Sequence, residues 1–398
     1  MELIDEIKLK SAKIYNEVVE IRRYLHQHPE LSFNEFETSQ YVQQKLRDYK
    51  ISYKSGYVKT GIVGIIEGIN PSSKTIALRA DLDALPITEA NKVEYVSLNK
   101  GVMHACGHDV HTASLLGAAK ILNELKDKFE GTVKLIFQPG EEKLPGGAKL
   151  MIEEGVLKNP VPSKIIGQHV FPELEAGKLG FKAGMYMAST DEIYVTVKGK
   201  GGHAALPHKV IDSILMASQI IVSLQQIVSR RCPPDIPSVL SFGKIIGEGA
   251  TNIIPDEVFI EGTFRTMDEK WRSEAHQIMQ SMAEKVASSL GGECIFDIKK
   301  GYPFLVNDHQ ATAISKRAAI EYIGENNVVD LGLRMTAEDF AYFSQAAPSC
   351  FYRLGVKNEE KGISSNLHTS TFDIDEDALK LSIGYMAYNT IKQLEDLK

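Results

Sequence analysis

The sequence predicts an α/β protein in which a domain built on a mostly parallel sheet is interrupted by an inserted ferredoxin-like α+β domain. In the first half of the chain, apolar strands alternate with amphipathic helices, an order typical of parallel α/β sheets. From about Asp191 the order becomes strand–helix–strand, repeated once, which is that of a ferredoxin-like sandwich. A helix, a strand and a last helix follow, and we interpret them as the remainder of the first domain.

The main domain begins with a predicted helix over residues 3–27, because its apolar residues recur at spacings of three and four. This helix is expected to end at His28-Pro29, since the residue before a proline avoids helical backbone angles. The sequence then predicts, in order, helix 35–49, strands 51–53, 61–66 and 75–79, helix 113–125, strand 131–137, helix 147–154 and strand 164–167.

The inserted domain is predicted to span residues 186–300, which divides the main domain into residues 1–185 and 301–398. Its size is that of a typical small domain. Its predicted elements are strand 192–198, helix 210–230, strands 238–246 and 257–266, helix 269–290 and strand 293–299. The main domain then resumes with helix 308–323, strand 349–354 and helix 376–394.

Composition and charge argue against several classes of protein. Of the 398 residues, 43% are hydrophobic and 24% are charged, and the formal net charge of −7 disfavours nucleic acid and anionic membranes as partners. No apolar run approaches the ~18 residues that a membrane span needs, and the charged amphipathic N-terminus is unlike a signal peptide. The four cysteines are scattered, which favours a reduced, cytoplasmic protein.

The densest group of metal-binding residue types lies at residues 103–112, MHACGHDVHT. Thiolate, imidazole and carboxylate are the ligands of zinc and of similar divalent metals. Cys106 and His108 flank a single glycine, so both side chains can face one point, and we interpret them as metal ligands. Three further residues of the stretch are candidates for structural roles: His104, Asp109 and His111.

An acidic pair, Glu141-Glu142, follows the predicted strand 131–137. One carboxylate of such a pair can bind a metal while its neighbour acts as general base on a water molecule. We assign Glu142 as the ligand and Glu141 as the base. Taken alone, the pair also fits a solvated acidic turn before a helix, and the upstream Cys-x-His motif favours the catalytic interpretation.

Two histidines further along the chain are candidate ligands. His169 follows the apolar strand 164–167, and taken alone it would be interpreted as a core histidine. His368 lies in the polar segment NLHTS, and taken alone it would be interpreted as a surface residue. Ligands in open α/β sheets bind outside the carboxyl ends of the strands, and this rule favours a shared site.

The candidate ligands are therefore Cys106, His108, Glu142, His169 and His368. They number five, whereas one zinc usually takes four, so the set suits two metal ions about 3.5–4 Å apart. The Cys106 thiolate is the natural bridge, because its charge would be neutralised between two cations. Asp81 is expected to orient a ligand, and the role of Asp83 stays open.

The predicted inserted domain contributes three candidate substrate-binding residues. His203 lies in the segment GGHAALPH and can donate a hydrogen bond to an oxyanion, although a simple turn fits equally well. Asn252 lies between two predicted strands. Arg265 ends a strand and can bind a carboxylate in bidentate fashion, although an arginine at a strand end is more often a surface residue.

A family resemblance covers essentially the whole chain. Its motifs are, in order, RADLDALP, MHACGHDVHT, QPGEE, GQHV, GGHAALPH, GATNIIPD, GTFRT, MTAEDFAYF and NLHT. Together they resemble the amidohydrolase branch of the aminoacylase/carboxypeptidase metallopeptidases, which includes hippurate hydrolases, indole-acetyl-amino-acid hydrolases and N-acetyl-diaminopimelate deacetylases. The set is specific for the family and does not select a substrate.

The resemblance implies a zinc-peptidase-like catalytic domain, an inserted lid and dimerisation domain, and a homodimer or homotetramer. It implies two divalent metal ions (Zn, Mn, Co or Ni) held by the five candidate ligands, with Glu141 as general base. It also implies that His203, Asn252 and Arg265 bind substrate. Relatives outside this branch carry a metal-binding histidine where Arg79 stands, so the ligand set here must differ from theirs.

The predicted function is metal-dependent hydrolysis of the amide bond of N-acyl amino acids or small peptide-like amides. The alternative is a catalytically silent protein that binds a metal or a ligand in the same cleft. Glu141 beside a full ligand set favours the enzyme, because a decayed enzyme would be expected to have lost one of these groups.

Overall fold

A computed structural model describes residues 2–397 of the chain. The α-helices of this part are Leu3–Gln27 (α1), Phe36–Asp48 (α2), His108–Glu124 (α3), Gly147–Glu153 (α4), Ser213–Gln226 (α5), Glu269–Ser289 (α6), His309–Ile323 (α7), Ala341–Ala346 (α8) and Asp377–Asp396 (α9). None of the described helices combines the length and the apolar composition that a membrane span requires.

The strands alternate with these helices along the chain. They are Ser52–Tyr57 (β1), Gly61–Glu67 (β2), Thr75–Asp81 (β3), Thr132–Gln138 (β4), Lys164–Glu175 (β5), Leu179–Phe181 (β6), Gly184–Met187 (β7), Asp191–Lys198 (β8), Gly202–His203 (β9), Ser238–Ile246 (β10), Ile253–Ile254 (β11), Glu257–Thr266 (β12), Glu293–Lys300 (β13), Leu305–Asn307 (β14), Val328–Asp330 (β15) and Ser349–Lys357 (β16).

Two compact units divide the chain. The first comprises the residues up to Tyr186, Val306–Leu333, and the residues from Asp339 onward. The second comprises Met187–Leu305 and the short segment Arg334–Glu338. The assignment of residues 186–300 to an inserted lid domain remains a prediction about the roles of these units.

The first unit is built on an eight-stranded sheet in the order β1-β2-β4-β3-β5-β16-β6-β15. Its centre is parallel, because β3 pairs in parallel with β4 and β5, and β5 pairs in parallel with β16. Strands β3 and β4 are buried along their whole length, as expected for parallel strands covered on both faces. The α/β class with a mostly parallel sheet that the sequence predicts is confirmed.

Helices α1, α3 and α9 pack against one another, and α3 and α9 lie against β3. Helix α3 is buried on nearly all sides, which agrees with its largely apolar sequence after residue 112. The first turn of α3, which begins at His108, is polar and is also buried. The core therefore presents the polar end of α3 beside the carboxyl end of β3.

The second unit contains a four-stranded sheet in the order β10-β12-β8-β13, with every neighbouring pair antiparallel. When only the four strands of this sheet are numbered along the chain, the order is second, third, first, fourth, which is that of a ferredoxin-like sandwich. Side chains of β8 alternate between buried and more exposed positions, as in a sheet with one covered face. Residues of α5 and α6 share the hydrophobic core of this sheet.

Three predicted elements differ most from the observed ones. Helix α3 begins at His108 rather than at residue 113, because the polar metal-binding stretch itself forms the first turn. Strand β5 continues to Glu175, so His169 lies inside the strand and not after it; pairing with β16 extends the strand beyond residue 167. The predicted helix 210–230 is the shorter α5, followed by a π-helical turn at Ile227–Arg231.

Candidate metal centre

The turn that leads into α3 places Cys106 and His108 on either side of a glycine in the left-handed region. Gly107 has φ of 79° and is the N-cap of α3. A Cβ atom at this position would lie 2.5 Å from Cγ2 of Val170, so a side chain has no room. The glycine therefore lets β5 approach the loop closely, and it sets the directions of the two flanking side chains.

Cys106, His108 and His169 form one group of possible ligands, with ligand atoms within 4.8 Å of one another. Sγ of Cys106 is 3.5 Å from Nε2 of His169. Nδ1 of His169 donates to the carbonyl of Val170 at 2.7 Å, which leaves Nε2 as the electron-pair donor. A hydrogen bond of this kind to the second ring nitrogen is usual for metal-binding histidines.

Cys106, Glu142 and His368 form a second group within the same distance limit. Nε2 of His368 is 3.2 Å from Oε1 of Glu142. The backbone N–H of His368 donates to the carbonyl of Ala105 at 2.8 Å, so residue 368 is fixed beside the first turn of α3. Its φ of 60° is uncommon for a residue with a side chain, and such conformations are concentrated at functional sites. The two groups share Cys106.

Glu141 is buried beside these groups. Its Oε2 is 3.9 Å from Nε2 of His108, and its Oε1 accepts the N–H of Asp339 at 3.3 Å. The backbone N–H of Glu141 donates to Asp83. The carboxylate is thus held close to one histidine of the first group, where a general base would have to act.

Asp81, at the carboxyl end of β3, binds two other side chains. Its Oδ1 accepts Nδ1–H of His111 at 2.6 Å, and its Oδ2 accepts a guanidinium N–H of Arg79 at 2.6 Å. Nε2 of His111 accepts the N–H of Val170 at 2.9 Å, so both ring nitrogens of His111 are used within the protein. His111 therefore supports the fold at this place and has no nitrogen for a metal. Oδ2 of Asp81 is also 3.7 Å from Nε2 of His108.

Arg79 is fully buried and lies two residues before Asp81 on β3. Its guanidinium donates to Gln138 at 2.8 Å and to Asp339 at 2.8 Å, in addition to Asp81. The same Asp339 also accepts the side-chain amide of Gln138. Arg79 thus neutralises the buried carboxylates of Asp81 and Asp339. Its guanidinium donates to these side chains and so has a structural role.

The electrostatic potential at the candidate ligands Cys106 and His108 is strongly negative. Burial, together with the charges of Glu142 and Glu141, raises the pKa of the Cys106 thiol well above its usual value. Burial opposes charge on His108, but Asp81 and the hydrogen bond to Asp83 raise the pKa of this imidazole to about 10. Both shifts describe a place where added positive charge is favourable, which a divalent cation would supply.

The donor set fits divalent metal ions. Nε2 of His108 is buried and makes no hydrogen bond within the described part of the chain, which is costly unless a cation or another partner meets it. Burial and the charge of Arg353 lower the pKa of His169 well below its usual value, so this imidazole is neutral and able to bind a metal. One sulfur, imidazole nitrogens and a carboxylate are ligands suited to zinc and its neighbours.

A family model described as peptidase family M20/M25/M40 matches residues 77–389, most of the chain. The chain belongs to this family. The family resemblance that the sequence indicates is confirmed, and membership makes this M20 protein a hydrolase of amide bonds.

Its relatives within the family are similar along most of their length. An N-acetyl-L-cysteine deacetylase of Bacillus subtilis (strain 168) is 40% identical over 380 residues, which are 96% of this chain and 88% of that protein. An N-acyl-L-amino acid amidohydrolase of Geobacillus stearothermophilus is 41% identical over 303 residues, 76% of this chain and 81% of that protein. The crystal structure of the Bacillus subtilis YXEP protein, described as a dinuclear metal binding peptidase from M20 family, has a TM-score of 0.82 and 33% identity, covering 96% of this chain and 99% of that one.

The remaining predicted site residues of this M20 protein lie in the second unit. His203 is exposed on β9 and pairs with Ile253 of β11. The carbonyl of Asn252, the residue before β11, accepts the N–H of Ala204 at 3.0 Å, so Asn252 lies next to the sheet that contains His203. Arg265, on β12, donates to the carbonyl of Met335 at 3.1 Å. The structure thus brings His203 and Asn252 together, and their role in substrate binding remains a prediction.

Of the other residues in the 103–112 stretch, Asp109 supports the fold. Asp109 accepts hydrogen bonds from Arg22 and His26 of α1, each at 2.8 Å. His104 is buried, and neither of its ring nitrogens has a hydrogen-bond partner within residues 2–397. The sequence leaves the role of Asp83 open and does not single out Glu35. Asp83 contacts His108 and the backbone of Glu141 and Glu142, and Glu35 accepts the N–H of the preceding residue, Gly140. A second acidic residue at the end of β3 was the only signal for Asp83, and no local pattern marks Glu35.

Proposed function

We propose that this protein is a metal-dependent amidohydrolase that cleaves N-acyl amino acids or small peptide-like amides to a carboxylate and an amine. One observation supports this most directly: two groups of possible ligands share Cys106, and the Glu141 carboxylate lies beside them. The named activities of the deacetylase and amidohydrolase relatives support the same substrate class.

Two metal ions would be held by the five residues Cys106, His108, Glu142, His169 and His368, of which Cys106 belongs to both groups of possible ligands. Such ions, when bound, supply Lewis acidity that lowers the pKa of a water molecule toward about 7 and polarises the amide carbonyl. Asp81 and Arg79 balance charge behind the ligands and keep His111 oriented.

Glu141 is proposed to move the proton. Its carboxylate takes a proton from the attacking water as the new carbon–oxygen bond forms, and it then gives the proton to the leaving nitrogen. Three residues of the second unit are proposed to bind substrate. His203 donates to the developing oxyanion, and Arg265 with Asn252 binds the free carboxylate of the amino acid.

We also propose that the protein is cytoplasmic and forms a homodimer or homotetramer. Four free cysteines far apart in sequence support a reducing compartment. The family resemblance supports the oligomer. Light scattering after size-exclusion chromatography measures the mass, and a monomer at all concentrations would contradict this proposal.

A substrate panel tests the proposed function. Acetyl-, benzoyl- and indole-acetyl-amino acids are incubated with the purified protein after chelation and after addition of Zn²⁺, Mn²⁺ or Co²⁺. We expect hydrolysis only with added metal, and the best pair of acyl group and amino acid identifies the substrate. If the protein binds metal tightly but hydrolyses no member of the panel, the alternative of a silent binding protein is favoured.

Glu141→Gln tests the general base. Glutamine keeps the volume but cannot accept a proton, so we expect kcat to fall by about 10²–10⁴-fold while metal content is unchanged. Metal content is measured by elemental analysis of the same samples used for kinetics. Glu153→Gln, an exposed substitution on α4, is the matched control and should keep normal turnover. A near-normal kcat for Glu141→Gln would remove this assignment.

A further inference from the structure

The turn between β4 and α4 carries both Glu141 and Glu142, and its backbone is held by two buried carboxylates. The N–H of Gly140 donates to Oε1 of Glu35 at 2.9 Å. The N–H of Glu141 donates to Oδ1 of Asp83 at 3.0 Å, and the N–H of Glu142 donates to Oδ2 of Asp83 at 2.9 Å. Three consecutive backbone amides therefore donate to the side chains of Glu35 and Asp83, and neither side chain has a role in the proposed mechanism.

Asp83 is 1% exposed, and both of its oxygens are fully engaged. Besides the two amides, Oδ1 faces Nδ1 of His108 at 3.3 Å and Oδ2 accepts the hydroxyl of Ser32 at 2.6 Å. With Nδ1–H directed at Asp83, the neutral ring of His108 carries its electron pair on Nε2, the buried nitrogen that makes no hydrogen bond in the described chain. One carboxylate thus contacts a proposed ligand histidine and the backbone of both glutamates.

Glu35 holds the preceding residue of the turn in the same way. Its oxygens also accept the N–H of Phe33 at 2.8 Å and the hydroxyl of Thr60 at 2.7 Å. Gly140 has φ of 62°, and a Cβ atom there would lie 2.4 Å from the ring of Phe33, so the turn is pressed against this segment. The position of the turn is therefore determined on both sides, by the segment before α2 and by the end of β3.

Placing two buried carboxylates side by side is electrostatically unfavourable. Burial and the charge of Asp83 raise the pKa of Glu35 to about 7. Hydrogen bonds from backbone amides and hydroxyls offset part of this cost, because every oxygen of the pair has at least one donor. Neutral hydrogen-bond acceptors would be enough to hold a turn that has only a structural role. The use of two buried carboxylates therefore indicates that the positions of Glu141 and Glu142 must be held accurately.

We propose that Asp83, assisted by Glu35, is a positioning residue that sets the tautomer of His108 and aims the carboxylates of Glu141 and Glu142. The proposal rests on the proposed function, since it assigns a purpose to the geometry of that same site. Asp83 acts through its partners, as residues that support metal ligands commonly do.

Asp83→Asn is the direct test. Asparagine has the same shape, but its NH₂ group cannot accept an amide N–H, so at least one of the hydrogen bonds to the turn is lost. We expect the affinity for Zn²⁺, measured by competition with a chromophoric chelator, to fall by about 10–100-fold. We also expect the visible absorption of the Co²⁺-loaded protein to change and kcat to fall by more than KM changes.

Two further variants keep the test valid if Asp83→Asn folds poorly. Ser32→Ala removes only the hydroxyl that fixes Oδ2 of Asp83. Glu35→Gln weakens the hold on Gly140, together with the bonds to Phe33 and Thr60, and leaves Asp83 itself unchanged. Each should shift Zn²⁺ affinity and the Co²⁺ spectrum in the same direction as Asp83→Asn, by a smaller amount. Asp191→Asn is the matched control: it alters a buried, fully bonded aspartate of the second unit and should leave Zn²⁺ affinity unchanged.

The outcomes separate this proposal from the proposed function. Wild-type affinity and spectrum in a folded Asp83→Asn variant, or in Ser32→Ala and Glu35→Gln if that variant does not fold, would overturn the positioning role. Weakened Zn²⁺ binding with a changed spectrum supports it, even if the wild-type protein hydrolyses no member of the panel. In that case the proposed function fails and the positioning role stands.

Discussion

At the scale of single residues, the motif at residues 103–112 requires a glycine at position 107. Gly107 separates Cys106 from His108 with a left-handed backbone, and β5 passes so closely that a methyl group would meet Val170 at 2.5 Å. A residue with a Cβ atom would have to rotate this turn or displace β5, and either change moves possible metal ligands.

Gly107→Ala therefore should cost more than the backbone conformation alone explains. An L-residue in the left-handed region costs about 1–2 kcal/mol. Gly101→Ala is the matched control, because Gly101 has φ of 82° and open space around its Cβ position. We expect urea unfolding of the metal-free protein to show a larger loss for Gly107→Ala, together with weaker Zn²⁺ binding. Equal losses of stability and unchanged Zn²⁺ affinity would show that the contact with Val170 does not matter.

At the scale of elements, α1 is joined to the start of α3 by a buried ion pair. Arg22 is fully buried and donates to Asp109 at 2.8 Å and to Asp373 at 2.8 Å. Asp109 follows His108 directly, so this pair fixes the helical turn from which the candidate ligand projects. The charges of Asp109 and Asp373 raise the pKa of Arg22 well above its usual value, against the effect of burial.

Arg22→Met should destabilise the protein strongly. Removing one partner leaves Asp109 buried with only His26 to meet its charge, and breaking a buried pair in this way costs about 3–5 kcal/mol. Arg23→Met is the control on the same helix: Arg23 binds Glu376 near the surface, where ion pairs contribute about 0–1 kcal/mol. Urea unfolding curves of both variants measure the difference, and similar losses would refute a special role for Arg22.

At the scale of the whole molecule, each unit has its own hydrophobic core and its own buried ion-pair network. In the second unit, Asp191 of β8 accepts two hydrogen bonds from Arg272 of α6, at 2.9 and 2.6 Å, and one from His276 at 2.7 Å. Burial opposes ionisation of Asp191, but the hydrogen bonds from His276 and Arg272 hold its pKa below the usual value. All five predicted metal ligands (Cys106, His108, Glu142, His169 and His368) lie in the first unit.

This network predicts a pH dependence of stability. A carboxyl whose pKa is lowered on folding stabilises the protein above its unfolded pKa of about 3.9, and the contribution is lost as the pH falls through the lower folded value. Asp191→Asn should therefore be less stable than the wild type at pH 7, and the difference should shrink below about pH 4. Urea unfolding between pH 7 and pH 3 measures it. A difference that stays constant with pH would contradict the assignment.

Much of the fold was predictable because its signals are local. The alternation of helices and strands follows from apolar spacing, and the order of elements in the second unit indicates its sheet topology. The boundary errors have local causes as well. Helix α3 starts within the polar motif because Gly107 caps it, and β5 runs past His169 because β16 pairs with it. Short strands such as β6 and β15 were missed, since three residues carry little periodicity.

The sequence by itself determined the α/β class, the family and a set of residues with the chemistry of metal ligands, because residue type and short spacing are readable without a structure. Only the tertiary structure decided how these residues are used. It showed that both nitrogens of His111 are occupied, and that Arg79 neutralises carboxylates. It also showed that Asp83 accepts the backbone N–H groups of Glu141 and Glu142, which lie 58 and 59 positions further along the chain. Such pairings depend on strand register and helix packing between distant segments, and no local pattern of residues contains them.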